Sequence, residues 1–197
     1  QMQEHFRAIP GVADVGAAEQ LPLLAGGMWN YVSPGDRPIP PPEGRTRGTR
    51  RRASDGLFRT LGIPIVLGRA FDERDKVGSQ PVAIINQTLA ARFWPDESAI
   101  GKFIVLGSGD GPRLEIVGVA RDVREFGPDS PDQSVFYLSF AQFPTATAQI
   151  AIRTHDDPLA VTAQVKSALL ELNRNAPIWS FHTMESRFAD RVAQPRF

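Results

Sequence analysis

No apolar run in this chain is long. Residues 63–67 (IPIVL) and 103–106 (FIVL) are typical, whereas a membrane-spanning helix needs about 20 such residues in succession. Glycine and proline punctuate the sequence, 17 of each among 197 residues. Glycine loosens the backbone and proline removes an N–H donor, so both interrupt regular structure. The chain is therefore held to short strands and short helices, which can bury their apolar sides only by stacking in layers. At this length one domain, or one domain with a smaller subdomain, is expected.

Composition narrows the partners. Twenty-two basic residues balance 22 acidic ones, so no global field draws the chain to nucleic acid or to an anionic membrane. The 42% hydrophobic and 22% charged content is that of an ordinary folded domain and excludes disorder throughout. With no cysteine, disulfides, zinc–thiolate sites, iron–sulfur clusters and cysteine nucleophiles are excluded, although the redox compartment is left open. The opening residues, QMQEHFRAIP, have neither the basic start nor the apolar stretch of a signal peptide. Met2, Phe6 and Ile9 instead fall on one helical face. The chain is expected to be a piece of a longer protein.

Pattern and punctuation predict the elements. A first helix stops at Pro10-Gly11, and strands follow at 12–18 and 28–32. Residues 33–44, SPGDRPIPPPEG, hold five prolines in twelve positions and are expected to be an exposed, mobile loop. The polar stretch 45–53 reads as an edge strand. Ser54 is expected to cap a short helix stopped by Gly62, with a buried strand at 63–67 and an exposed charged loop at 70–80. Strands are expected at 82–85, 101–106, 114–119, 134–140 and 149–154, with Asn86 capping a helix that Pro95 stops. Asp157 and Pro158 open the longest helix, 157–173. A strand at 178–181 and a helix capped by Thr183 complete the chain.

Strand, helix and strand recur in both end sections, at 12–67 and at 149–181, while the middle is richer in strands. The expected fold class is α+β: a subdomain of two strand–helix–strand units with a small β-rich inserted lobe. On this reading residues 1–81 and 145–197 form the discontinuous subdomain, and 82–144 the lobe.

Few residues suggest chemistry. His5, His155 and His182 are far apart, and His182 with Glu185 would make only half a metal site. No G-x-S-x-G elbow occurs. The glycine-rich 107–111, GSGDG, is followed by a strand and not by a helix N-terminus, so it reads as a hairpin turn and not as a phosphate cradle. Asp72, Glu73 and Asp75 lack the spacing of a calcium loop. No catalytic, cofactor or metal site is therefore expected, nor any enzyme activity. Trp29, Tyr31, Trp94 and Trp179 are assigned by default to the core or to subdomain contacts. The sharpest anomaly is Arg45, Arg47, Arg50, Arg51 and Arg52, five cations in eight residues. They could form an interaction patch for phosphate, lipid headgroups or nucleic acid. The preferred reading is a solvated edge strand whose charges block edge-to-edge pairing, because no aromatic residue interleaves with the arginines.

Five segments in order carry a resemblance. They are LFRTLGIPIVLGRAF at 57–71, PVAIINQTLAARFWPDESAIGK at 81–102, IVGVARDVREFG at 116–127, Val135-Phe136-Tyr137-Leu138 with Gln142, and the helix opening Asp156-Asp157-Pro158. Together with the closing AQPRF, they resemble the periplasmic core domain of MacB-like (MacB/FtsX-type) ABC transporter permeases, and most closely the duplicated permeases of acidobacteria. The resemblance implies a porter-like subdomain with an inserted lobe, lying in the periplasm between two membrane helices of an inner-membrane protein. It implies no cofactor and no nucleic-acid partner. The implied partners are the permease's own membrane helices, a cytoplasmic ATPase, a second permease unit and, as a further candidate, a periplasmic adaptor protein. Movement driven by ATP would pass through the domain to a periplasmic partner or cargo, as in export or efflux. The apolar faces Met2/Phe6/Ile9 and Met184/Phe188/Val192 would hold the two terminal helices to the domain. The arginine-rich strand departs from the family pattern. The alternative reading is a stand-alone periplasmic module binding a solute or a protein, which would need a pocket with convergent polar groups.

Overall fold

The computed structural model describes residues 2–24, 28–124, 132–172 and 180–193. The fold is α+β. In chain order the elements are α1 (Met2–Arg7), β1 (Val12–Ala18), β2 (Met28–Pro34), β3 (Thr46–Ala53), α2 (Leu57–Leu61), β4 (Ile65–Gly68), β5 (Val82–Asn86), α3 (Gln87–Phe93), β6 (Phe103–Leu106), β7 (Arg113–Ala120), β8 (Val135–Ser139), β9 (Gln149–Thr154), α4 (Thr162–Leu172) and α5 (Met184–Ala193). A short 3₁₀ turn, Pro42–Gly44, precedes β3.

Six strands close on themselves. The order β2-β6-β7-β5-β8-β3 is completed by pairing of β2 with β3, a small barrel in all but name. Closure removes sheet edges that would otherwise need protection. The β3–β8 and β5–β7 pairs are parallel, and the other ring pairs are antiparallel. Alternation along each strand fills the ring: Val32, Ile85, Ile104, Ile116 and Phe136 meet inside it. Leu89 and Phe93 of α3, and Trp94 after it, join the same cluster. The opposite face of the sheet packs on α2, where Val135 and Tyr137 of β8 meet Leu57, Phe58 and Phe71.

Beside the ring, β1 and β9 form an antiparallel pair that reaches β3 at Ala18 and Ala53. One face of this pair carries α1 and α4, with Phe6, Val15, Val161, Val165 and Ala168 buried together. The other face carries α2. There the backbones approach so closely that a Cβ on Gly16 would lie 2.6 Å from Leu57 Cα. Gly16→Ala is therefore expected to cost about 1–3 kcal/mol, read as a lower urea midpoint with an unchanged slope.

Several expected elements are corrected. The stretch 45–53 is no edge strand: β3 pairs β2 and β1 on one side and β8 on the other. Ser54 does not cap α2. Its Oγ accepts instead from Ala17 N at 2.9 Å, tying β1 to the end of β3, and Gly56 takes the cap position. Gly62 does end α2, in the left-handed conformation at φ 68° that glycine adopts without steric cost. β4 is half-buried to exposed, not buried, and pairs β7 of the ring. Asp157 caps a turn, its Oδ1 accepting from Leu159 N, ahead of an α4 that starts only at Thr162. Of the strand expected at 178–181, Ile178 and Trp179 lie outside the described residues, and Ser180 and Phe181 belong to no strand. The proline-rich loop is pinned at its start, where Asp36 accepts from the Trp94 indole at 2.7 Å and Arg37 donates to the Phe93 carbonyl at 2.7 Å.

The terminal helices differ. Phe6 of α1 is fully buried, with Met2 and Ile9 packed beside it. On α5 the face Met184, Phe188 and Val192 is 41%, 46% and 58% exposed, so it does not hold that helix to the domain. Thr183 does cap α5, accepting from Ser186 N at 3.0 Å. Arg191 ties the helix to the loop after β1, donating to the Leu23 carbonyl at 2.8 Å. No described helix is long and apolar enough to cross a membrane.

Candidate functional site

The segments that carried the resemblance converge on anchor points. The first is Asn86, buried at the junction of β5 and α3. Its Oδ1 accepts from Leu89 N, capping α3, and from Val135 N at 2.9 Å. Its Nδ2 donates to the Gln133 carbonyl at 2.7 Å and to Asp122. Asp122 in turn accepts from Thr88 N and Thr88 Oγ1, both at 3.0 Å. One amide thus joins β5, α3, the end of β7 and the start of β8. All its hydrogen-bonding capacity is used, which makes a buried polar network rigid instead of costly.

The second anchor is Arg69. Its guanidinium grips the buried Asp75 in a two-pronged contact at 2.7 and 2.8 Å. Such paired bonds are the stronger, shape-specific kind. Asp75 also accepts from Asp72 N, and Ser139 Oγ donates to the Asp75 carbonyl. The loop expected to be exposed is therefore nailed to the end of β8. Arg74 holds the Asp72 carboxyl well below the usual carboxylate range by hydrogen bonding to it. Gln142 repeats the theme, accepting from Val82 N at 3.0 Å and donating to the Gln80 carbonyl.

A third ion pair, Asp14 with Arg59, joins β1 to α2, with Arg7 of α1 at 3.4 Å. The hydrogen bond from Arg59 holds the Asp14 carboxyl below its ordinary value of 3.8. A carboxylate favoured in the fold gives stability that is whole above its unfolded pKa and is lost as pH falls through the folded one. Urea midpoints of the wild type are thus expected to drop below about pH 4, and Asp14→Asn to be less stable at neutral pH with a shallower acid drop. Equal acid slopes for the two would count against the pair.

The five arginines of the sequence patch do not share one surface. Arg50 and Arg52 converge from one face of β3 on Glu19 Oε1, at 3.4 Å each, and bind the segment after β1. Arg51 points to the other face and is buried, donating to Gln20 Oε1 at 3.1 Å. Arg45 and Arg47 remain at the surface, and here the sequence argument against a patch fails. β2 lies alongside and sets Tyr31 opposite Arg47, with Trp29 opposite Thr49. The Arg47 guanidinium stacks 3.7 Å from the Trp29 ring centre, and that of Arg45 lies 5.8 Å from Tyr31. Trp29 is 49% exposed and Met28 56%, so the default core role for Trp29 is corrected. Trp94 is buried as expected, and Trp179 lies outside the described residues. The signal that sequence reading missed was the aromatic alternation of β2, which becomes relevant only once β2 and β3 pair.

Elsewhere the chemistry is sparse. Among the described residues no three His, Asp or Glu side chains gather as a metal site. His5 stands 3.7 Å from Glu171. A cleft of about 420 Å³ lies between α1, β9, α4 and the start of α5. Its walls are mainly apolar, including Phe6, Ile150, Ile152, Val165 and Leu169, with His182 and Arg187 among its polar groups.

Comparison with known proteins agrees with this picture of anchors without catalytic groups. The fold is similar to the periplasmic region of MacB from Actinobacillus actinomycetemcomitans, with a TM-score of 0.57 and 12% identity over 87% of this chain and 72% of that one. It is also similar to the extracellular domain of the noncanonic ABC-type transporter YknZ from Gram-positive bacteria, with a TM-score of 0.55 and 18% identity over 89% and 83%. No curated protein matches the chain in sequence. The model of the MacB-like periplasmic core domain matches residues 6–169. That span takes in the ring, the β1–β9 pair and both motif anchors, and the chain belongs to the family of MacB-like periplasmic core domains.

Proposed function

We propose that this chain is the periplasmic domain of an ABC transporter permease in an inner membrane, and that it passes ATP-driven movement of membrane helices to a periplasmic partner or cargo, as in efflux. It needs no cofactor and catalyses no reaction. Its partners are the permease's own membrane helices, the ATPase, a second permease unit and a periplasmic adaptor. The acidobacterial type of permease is the proposed source. We also propose a division in two, with β2 and β3 counted with the lobe of residues 82–144, since they close its ring.

The observation that carries the reading is the contrast between the terminal helices. α1 is keyed into the core through Phe6, whereas α5 leaves its apolar face exposed and is tethered at Arg191. A rigid body with one fixed and one releasable helix can convert a displacement of the second helix into a change of pose. The chain has no cysteine, so paired spin labels can be placed at will. In the full-length transporter, labels at Asp190→Cys on α5 and Gln87→Cys on α3 are expected to change their separation between the ATP-free and ATP-bound states. An unchanged distance distribution rejects the mechanical role. Hydropathy of the parent gene is the simpler first check, since apolar stretches of about 20 residues should flank the domain.

A further inference from the structure

The wall of the ring formed by β2 and β3 carries a surface that the anchors do not use. β2 is hydrogen-bonded on both sides, to β3 and to β6, so anything bound there is read by side chains and not by strand addition. Those side chains are already ordered. Arg47 stacks on Trp29, Trp29 meets Tyr31 edge-on at 5.7 Å, and Arg45 is fixed by the Pro40 carbonyl and Ser108 Oγ. Ordering before binding lowers the entropy cost of association.

The charges on this wall are uncompensated. Arg59 and Arg69 each close on a buried carboxylate. Among the described residues no carboxylate lies within ion-pair reach of Arg45 or Arg47. Stacking leaves the edge of the Arg47 guanidinium, where its donors lie, open to an acceptor from outside. Tryptophan, tyrosine, arginine and methionine are the residues that dominate protein–protein contacts, and all four stand here. Recruitment to anionic lipid draws on clusters of about 4–8 cations, and this wall offers two.

We infer that the wall of Trp29, Tyr31, Arg45 and Arg47 docks an acidic segment of a partner protein, its carboxylates meeting the two guanidinium groups and an apolar side chain covering Trp29. This deepens the proposed role by naming the partner-facing surface, and rests on it for the existence of a partner. Binding to the chain alone is read without ATP or membrane, so the two can fail separately.

The test is a titration of the ¹⁵N-labelled chain, following the tryptophan indole and arginine Nε signals by NMR, with Trp29→Phe assigning the Trp29 indole. The probes are a short synthetic peptide of alternating glutamate and leucine, its lysine–leucine counterpart, and vesicles of phosphatidylcholine with phosphatidylglycerol. Saturable shifts of Trp29 and Arg47 are expected with the glutamate peptide alone, weakened about tenfold by Arg47→Gln. Arg47 lies on the surface, so that variant should keep its fold, which the dispersion of the same spectra reports. Equal shifts with both peptides, no saturable shift, binding to vesicles only, or self-association through Trp29 would each overturn the inference.

Discussion

Asn86→Ala is expected to destabilise the domain by about 3 kcal/mol or more, the largest loss from any polar side chain here. The substitution removes four hydrogen bonds at once. Loss of the helix cap accounts for about 1 kcal/mol. The buried Val135 N–H is left without its acceptor, at about 1–3 kcal/mol, and Asp122 loses a donor. Asn86→Asp gives a sharper reading. It keeps the oxygen that caps α3 but turns the Nδ2 donor into a second carboxylate facing Asp122. Like charges raise a carboxyl pKa, so the folded variant binds protons more tightly than the unfolded chain. Its stability should therefore be lowest at neutral pH and recover as pH falls toward about 4. Urea denaturation across that range tests this. A variant whose deficit is independent of pH would mean that the Asn86–Asp122 contact is not what joins α3 to the ring.

Phe6→Ala should cost about 3–5 kcal/mol, the range for emptying an aromatic site in a packed core. Phe6 is fully buried among Val15, Val161 and Val165. The matching change on α5, Phe188→Ala, should cost less than about 1 kcal/mol, because Phe188 is already 46% exposed and substitutions at such sites fall near zero. The same amphipathic spacing predicted equal docking for both helices, so this pair of variants separates pattern from packing. Comparable losses at the two positions would show that α5 is seated as firmly as α1, and the releasable-helix mechanism would fall with it.

The same distinction runs through the molecule. Signals that act over a few residues were legible. Gly62 stops α2 because its left-handed turn needs no distant partner, Asn86 caps α3 three residues on, and residues 107–111 return β6 to β7 as a hairpin. The apolar alternation of β8 and the buried run of β5 were readable for the same reason. The motif residues could be identified in sequence but not given a role. Asn86 and Asp122 are 36 positions apart, and their contact exists only after β5 and β7 pair in parallel.

What the sequence by itself determined is the α+β class, the order of most elements, the chain's restriction to short segments and its membership of a family. Composition, periodicity and turn chemistry are local properties and survive without knowledge of contacts. What only the tertiary structure decided is where charge ends up. Five neighbouring arginines look alike in sequence, yet closure of the ring sends Arg51 inward, commits Arg50 and Arg52 to Glu19, and leaves Arg45 and Arg47 on aromatic rings outside. Strand alternation could sort them into two faces. Which face meets Glu19, which meets Trp29 and which meets solvent depends on strands paired across the chain, and no local signal encodes that.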